Sequence, residues 1–430
     1  MHFGNTESKR PMLVLQPHQT KSPTYCYEPG DKVVDAQLSA DGSRLMARCE
    51  NGSVHLWNAE TGKALIALGS DTVKAVQSLF SPSGAHLLII TNTAIAQVFD
   101  AESATELGRF DAHQHDITAA SFLKDESGII TASADGVIFI WQPIDNAPVI
   151  ALTGQYGSPI TAIDVSSDSN KVATVSHPGR SIVVWDTRTG EPIAFDKRIE
   201  ENRPVQAVFD PSGSHLIVPT IHGFGETRVH EFGSVPLVDL FEAQHSLLYS
   251  LQGMEGRDPV PILTDVQPLD SEWGREALFS PDGRTLAVRQ QDSDIILWDW
   301  ASREKLRTLR HGDELITRMS FSPDSRYLLV APGEPENIIP DGSKWDAQIA
   351  RVWDLVHGSE ALVLQGHVDL VMSAVFDAKG EKIVTASKDG TVLVWSADPA
   401  FQDPSGADAG GTPVVSSLRA DAAALEGSNS

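Results

Sequence analysis

This sequence predicts an all-β fold in which one four-strand unit is repeated around a ring, and three observations predict it. The first is a phrase that occurs twice, "TASADGVIFIW" at 131–141 and "TASKDGTVLVW" at 385–395. The second is a series of strand–turn–strand signals, "LSADGSRLMA", "FSPSGAHLLI", "FDPSGSHLIV", "FSPDGRTLAV" and "FSPDSRYLLV". In each, Ser, Pro, Asp and Gly set a tight turn between apolar runs. The third is spacing: the apolar residues before the turns, Leu38, Phe80, Phe122, Val165, Phe209, Phe279, Phe321 and Phe376, stand 42, 42, 43, 44, 70, 42 and 55 residues apart. Short strands, short turns and a base period near 42 residues are the signature of propeller blades, which are stable only against one another.

Within a unit, the third strand ends on an aromatic residue, at Trp57, Phe99, Trp141, Trp185, Phe232, Trp298, Trp353 and Trp395. A fourth apolar run such as "KALIAL" or "EKLRTL" follows. After Trp395 no fourth run appears, whereas "PMLVLQPH" at 11–18 matches "EALVLQGH" at 360–367 with no three strands before it. The N-terminal strand is therefore expected to complete the last blade and leave no open sheet edge. The expected architecture is an eight-bladed β-propeller of four-stranded antiparallel blades over residues 11–396, with seven blades plus irregular insertions as the alternative. Residues 1–10 read as a flexible N-terminus and residues 397–430, rich in Ala, Asp, Gly and Ser, as a disordered acidic tail.

Trp-Asp pairs at 185–186, 298–299 and 353–354 and Gly-His at 366–367 give the chain, from about residue 12 to 396, a resemblance to the WD40-repeat proteins. The resemblance implies a buried structural tetrad in each of the two sharpest repeats: His113, Thr131, Asp135 and Trp141, and again His367, Thr385, Asp389 and Trp395. In the family such a set satisfies buried polar groups by a chain of hydrogen bonds. A His, a hydroxyl and an Asp also suggest a nucleophilic triad, but the set occurs twice at equivalent places and ends in a tryptophan that acylation does not need. Elsewhere Asn51 and Thr93 stand where Asp would, Pro178 and Gly179 occupy that turn in the fourth unit, and Asp292 is kept in the sixth. Those turns are expected to be held by packing and backbone bonds alone.

The net charge of −25 repels phosphate backbones and anionic lipid, so neither nucleic acid nor membrane is an expected partner. The first residues hold no apolar signal region and no apolar run is long enough to span a bilayer, which points to a cytoplasmic protein. The two cysteines, Cys26 and Cys49, read as free thiols.

Three segments exceed the chain's own period: 19–31, 240–273 and 331–347. In a four-strand meander the second-to-third and sheet-to-sheet connections emerge at one end, so all three are expected to project from one face. They carry apolar and aromatic side chains without a place in a blade: Tyr25 and Tyr27 in the first, Tyr249 and Trp273 in the second, Ile338, Ile339 and Trp345 in the third. Glu334 and Glu336 make the third acidic. These nine are the candidate partner-binding residues, suited to a basic or amphipathic peptide.

No phosphate-binding Gly-rich loop with Lys, HExxH, CxxCH or EF-hand spacing occurs, and no catalytic residue, metal or cofactor is assigned. The function expected is a non-catalytic scaffold for protein or peptide partners. The alternatives are an enzyme or cofactor-binding propeller using the central channel, as the eight-bladed quinone-dependent dehydrogenases do on a related architecture, or a structural subunit of a larger complex.

Overall fold

The computed structural model describes residues 8–9, 13–15, 32–68, 73–142, 150–152, 158–177, 181–196, 203–221, 227–231, 264–269, 274–290, 294–310, 316–332 and 348–397. All regular elements among them are strands. Seven sheets are antiparallel meanders of four strands: those at 33–68, 75–110, 117–152, 160–196, 208–269 and 274–309, and a closing sheet at 371–396 whose fourth strand is Leu13–Leu15. The strand Leu13–Leu15 pairs with Val392–Ser396 through Leu13↔Val394, Val14↔Leu393 and Leu15↔Val392, so the N-terminus does complete the last unit of the chain.

The expected eight four-stranded blades are thereby corrected: seven sheets have four strands, the number the alternative named. The remaining sheet, at 316–365, has five, because Ser8–Lys9 adds in parallel to Ser359–Gln365. A short extension interrupts the sheet at 208–269 as well. Arg203–Pro204 pairs separately with Thr220–Ile221, and Pro204 and Pro219, which have no N–H to give a ladder, mark the break.

Apolar clusters join each sheet to the next. Ala47 and Trp57 of the first sheet pack with Val384 and Val394 of the closing sheet. Leu362 and Leu364 of the five-stranded sheet pack with Trp395, and Ile130 and Ile140 of the third with Val172 and Trp185 of the fourth. Each large side chain removed from water here is worth about 1.5–3 kcal/mol, and all of it lies between sheets, which is why no single unit is stable alone. The first strands of adjacent sheets lie against one another, while fourth strands such as Glu106–Phe110 and Lys305–Leu309 each bury only one residue fully. First strands therefore line the axis and fourth strands form the rim.

The turns between first and second strands touch from sheet to sheet. The Asp125 amide donates to Ser169 Oγ and the Asp282 amide to Ser325 Oγ, both at 3.0 Å. Ser167 Oγ donates to the Pro211 carbonyl at 2.8 Å, and the Ser83 amide donates to Glu126. These contacts put all such turns at one end of the ring, called here the hairpin end. Connections from second to third strands and from sheet to sheet leave from the opposite, link end.

That geometry corrects the expectation of a single insertion-bearing face. The strands that flank residues 16–32, Leu13–Leu15 and Val33–Leu38, and those that flank residues 333–348, Tyr327–Pro332 and Ile349–Asp354, have their facing ends at the link end. The third segment differs because the fourth strand of its sheet is Thr264–Leu269, inside the expected insertion 240–273. The excess lies between Thr227–Glu231 and Thr264–Leu269, and since Glu231 pairs with His215 at the start of the second strand, it leaves from the hairpin end.

One link-end turn has no room for a side chain. Gly52 has φ +85°, and a Cβ there would stand 2.7 Å from Lys74 Cα and 2.9 Å from the Ala75 nitrogen, whose N–H donates to the Gly52 carbonyl. Gly52→Ala is expected to cost about 2 kcal/mol or more from the left-handed backbone and the clash together, read as a lowered denaturant midpoint.

Candidate functional site

In the closing sheet the four predicted tetrad residues meet. Trp395 Nε1–H donates to Thr385 Oγ1 at 2.8 Å, Thr385 Oγ1 lies 2.7 Å from His367 Nε2, and His367 Nδ1 lies 3.0 Å from Asp389 Oδ2. With the Thr385 oxygen accepting from the indole, its own proton goes to Nε2, which puts the imidazole proton on Nδ1 facing the carboxylate. Asp389 also accepts from the Val368 and Thr391 amides, at 3.0 and 2.9 Å, and from Thr391 Oγ1 at 2.6 Å. Burial alone would raise this carboxyl, but the bonds and charge of His367, with Thr391 and Val368, bring it down to about 2. Thr385 is 1% exposed and His367 4%, so the hydroxyl is sealed from any substrate and the set pins strands together.

The third sheet forms only part of its predicted set. His113 Nε2 lies 2.8 Å from Thr131 Oγ1, but Asp135 turns to His115 Nδ1 at 3.0 Å, to the Val137 amide at 2.9 Å and to Ser133 Oγ. A second histidine two residues on competes for the carboxylate. His113 Nδ1 and Trp141 Nε1 are consequently buried with no hydrogen-bond partner. Trp141 instead stacks on Phe110 with centroids 5.1 Å apart, and Phe139 meets the His113 ring edge-on at 4.9 Å. Burial pushes the His113 imidazole down to about 4, against the opposing pull of the nearby Asp135 charge and of the hydrogen bond to Thr131.

Sequence reasoning missed a further pair: Trp185 Nε1–H donates to Thr174 Oγ1 at 2.9 Å in the fourth sheet, where Ser176 and Ser181 bond at 2.7 Å and no aspartate follows. Thr174 lies one residue farther from its tryptophan than Thr131 and Thr385 do from theirs, so a fixed spacing passes over it. The turns at Asn51 and Thr93 are also corrected. Asn51 Oδ1 accepts from the Ser53 amide at 2.8 Å and Thr93 Oγ1 bonds Thr91 Oγ1 at 2.9 Å, so side chains other than Asp hold them. Pro178, Gly179 and Asp292 lie outside the described residues. Trp185→Phe, which abandons the Thr174 hydroxyl, is expected to cost about 1 kcal/mol more than Trp141→Phe, measured by denaturant unfolding of the two variants.

Tyr25, Tyr27, Tyr249, Trp273, Glu334, Glu336, Ile338, Ile339 and Trp345 all lie outside the described residues, as does the tail from 398. What the described residues offer at the link end is a cavity of about 270 Å³ between the first and second sheets, lined by Val54, Leu68, Ala75, Ile89 and Phe99 with Gln97 and Arg109 at its polar side. Cys49 is buried and in no disulfide. Among the described residues no three His, Cys, Asp or Glu side chains converge as for a metal ion, and no helix is long and apolar enough to cross a membrane.

Residues 104–142 and 358–396, the two tetrad-bearing repeats, match the family described as "WD domain, G-beta repeat". Periodic tryptophan protein 2 of Arabidopsis thaliana is 21% identical over 306 residues, 71% of this chain and 29% of its own length. Denticleless protein homolog A of Xenopus laevis is 22% identical over 359 residues, 76% of this chain and 48% of its own. The Target of rapamycin complex subunit wat1 of Schizosaccharomyces pombe is 30% identical over 120 residues, 27% of this chain and 34% of its own. The chain thus spans about half or less of the length of these relatives. Among solved structures, the computationally designed Ika8 protein superposes with a TM-score of 0.66 at 17% identity, covering 90% of this chain and all of that one; this similarity concerns the fold.

Proposed function

Because the chain belongs to the WD40-repeat family of β-propellers, we propose that it is a non-catalytic scaffold that counts the five-stranded sheet as an eighth blade and holds an amphipathic peptide segment of a partner protein on its link end. The observation that carries this reading is a coincidence of place. The strand ends that flank residues 16–32 and 333–348 and the apolar cavity between the first and second sheets all lie at the link end of one arc of consecutive sheets. A cavity of about 270 Å³ with an apolar floor suits one large apolar anchor, and such anchors carry most of an interface's affinity. Relatives include a protein named as a complex subunit, which supports protein partners. The same reading keeps a cytoplasmic location, tested by fractionation of cells expressing the tagged chain.

The test is capture from native lysate with three forms of the chain: intact, with 16–32 and 333–348 cut to minimal turns, and with 232–263 cut. The proposal expects a partner held by the intact form and the last form and lost by the second. A partner lost only when 232–263 is cut would move the site to the hairpin end, and no partner on any form would end the scaffold reading.

A further inference from the structure

The seam between the first and second sheets is filled differently from four of the others. Phe139, Val183, Ile296 and Leu393 each stand two residues before their strand's tryptophan, and each packs into the seam with the preceding sheet. In the second sheet, whose third strand carries Phe99 in place of tryptophan, the equivalent residue is Gln97. Gln97 pairs with Ile89 on one side and with Arg109 on the other, and all three line the cavity of about 270 Å³. The cavity thus lies where those four seams hold an apolar side chain, and its walls lack the contacts such a side chain would give them.

Two polar groups in this row have no protein partner. Among the described residues, neither the Arg109 guanidinium, exposed on the fourth strand, nor the half-buried Gln97 amide makes a side-chain hydrogen bond or an ion pair. The five-stranded sheet shows how a charge in such a row is otherwise answered. There the residue at the place of Gln97 is Arg351, and Glu360 of the adjacent fourth strand meets it at 3.4 Å. No described acid answers Arg109, in a chain of net charge −25. The recess is therefore amphipathic in a defined order, with an apolar floor from Val54, Leu68, Ala75 and Phe99 and a guanidinium and an amide donor at its polar side. The floor gains from an apolar group that excludes water, and the guanidinium fork matches a carboxylate.

We propose that the first–second seam is a receptor for an extended partner segment in which a large apolar residue is followed, two residues on, by an Asp or Glu. The apolar side chain fills the place that Gln97 leaves open, and Arg109 and the Gln97 amide donate to the carboxylate. Residues i and i+2 of an extended segment share a face, so both side chains enter the same recess. The inference rests on the link end being the docking face and adds the chemistry by which the partner is recognised there. The overall charge of the chain attracts basic partners at long range, whereas this seat reads one acid at contact.

The test uses the full chain and saturation-transfer NMR with the peptides acetyl-Phe-Ala-Glu-amide, acetyl-Phe-Ala-Gln-amide and acetyl-Ala-Ala-Glu-amide at constant ionic strength. Transfer to the Phe ring of the first is expected, with affinity about tenfold or more above that of the other two, the span of one lost charge-assisted hydrogen bond. Arg109→Gln, an exposed change expected to leave the denaturant midpoint unaltered, should bring the first peptide down to the level of the second. Gln97→Leu supplies the apolar side chain the seam lacks, so it should raise the denaturant midpoint and abolish peptide binding. Equal binding of the Gln peptide, or full binding retained by Arg109→Gln or by Gln97→Leu, overturns the receptor. Peptide binding seen only after residues 398–430 are removed would put the chain's own Phe401 and Asp403 in the seam and overturn the partner as occupant. Lysate capture separates this from the scaffold reading: a partner held equally by the intact chain and by Gln97→Leu refutes the receptor alone, and no partner on the intact chain refutes the scaffold reading and the partner as occupant together.

Discussion

Trp395→Ala is expected to lower the unfolding free energy by about 3–5 kcal/mol, the range for a large aromatic removed from a packed core. Trp395 is 0% exposed and packs with Leu329, Leu362, Leu364 and Ile383, so it seals the seam between the five-stranded sheet and the closing sheet. Its loss also removes the N–H bond to Thr385 and loosens the one complete tetrad. The control is Val356→Ala at a residue 67% exposed, expected to change stability by about 0.5 kcal/mol at most. Denaturant midpoints check both, and equal midpoints for the two variants would contradict the assignment of Trp395 to the ring's core.

Acid is expected to weaken the fold through His113 before it reaches the carboxylates. The imidazole is held down to about 4, against an ordinary value of 6.5, because it is buried without the aspartate its counterpart His367 has. Above pH 6.5 the group is neutral in both folded and unfolded chains and costs nothing. As pH falls from 6.5 to 4 the unfolded chain takes up a proton that the folded chain refuses, and stability falls by about 3 kcal/mol in total. His113→Gln should remove that slope, measured by urea unfolding at pH 7, 5.5 and 4.5. Asp389 acts in a different window: its depressed carboxyl, at about 2 against 3.8, contributes stability present above pH 3.8 and lost as pH falls through 2. A His113→Gln chain with the same slope between pH 6.5 and 4 would show that another group carries it.

The repeat, the hairpins and the N-terminal closing strand were legible because each is a local pattern: an apolar run, a turn set by Asp or Gly, and an aromatic at fixed distance. The complete tetrad at His367, Thr385, Asp389 and Trp395 was legible for the same reason. The third sheet diverged through competition, since "HQHD" offers Asp135 two imidazoles and spacing does not say which is nearer. The long segment of the fifth sheet was misplaced because "SVPLVD" at 234–239 resembles a fourth strand as well as "TDVQPL" at 264–269 does. Only pairing with Thr227–Glu231 decides between them, and that moved the segment to the other end of the ring.

The most direct measurement is amide hydrogen exchange of the chain with and without the partner recovered by capture. The account predicts slowed exchange in the link-end turns, at 50–53, 134–137 and 388–391, and unchanged exchange in the hairpin-end turns at 40–43, 124–127 and 323–326. Protection confined to the hairpin-end turns would contradict it.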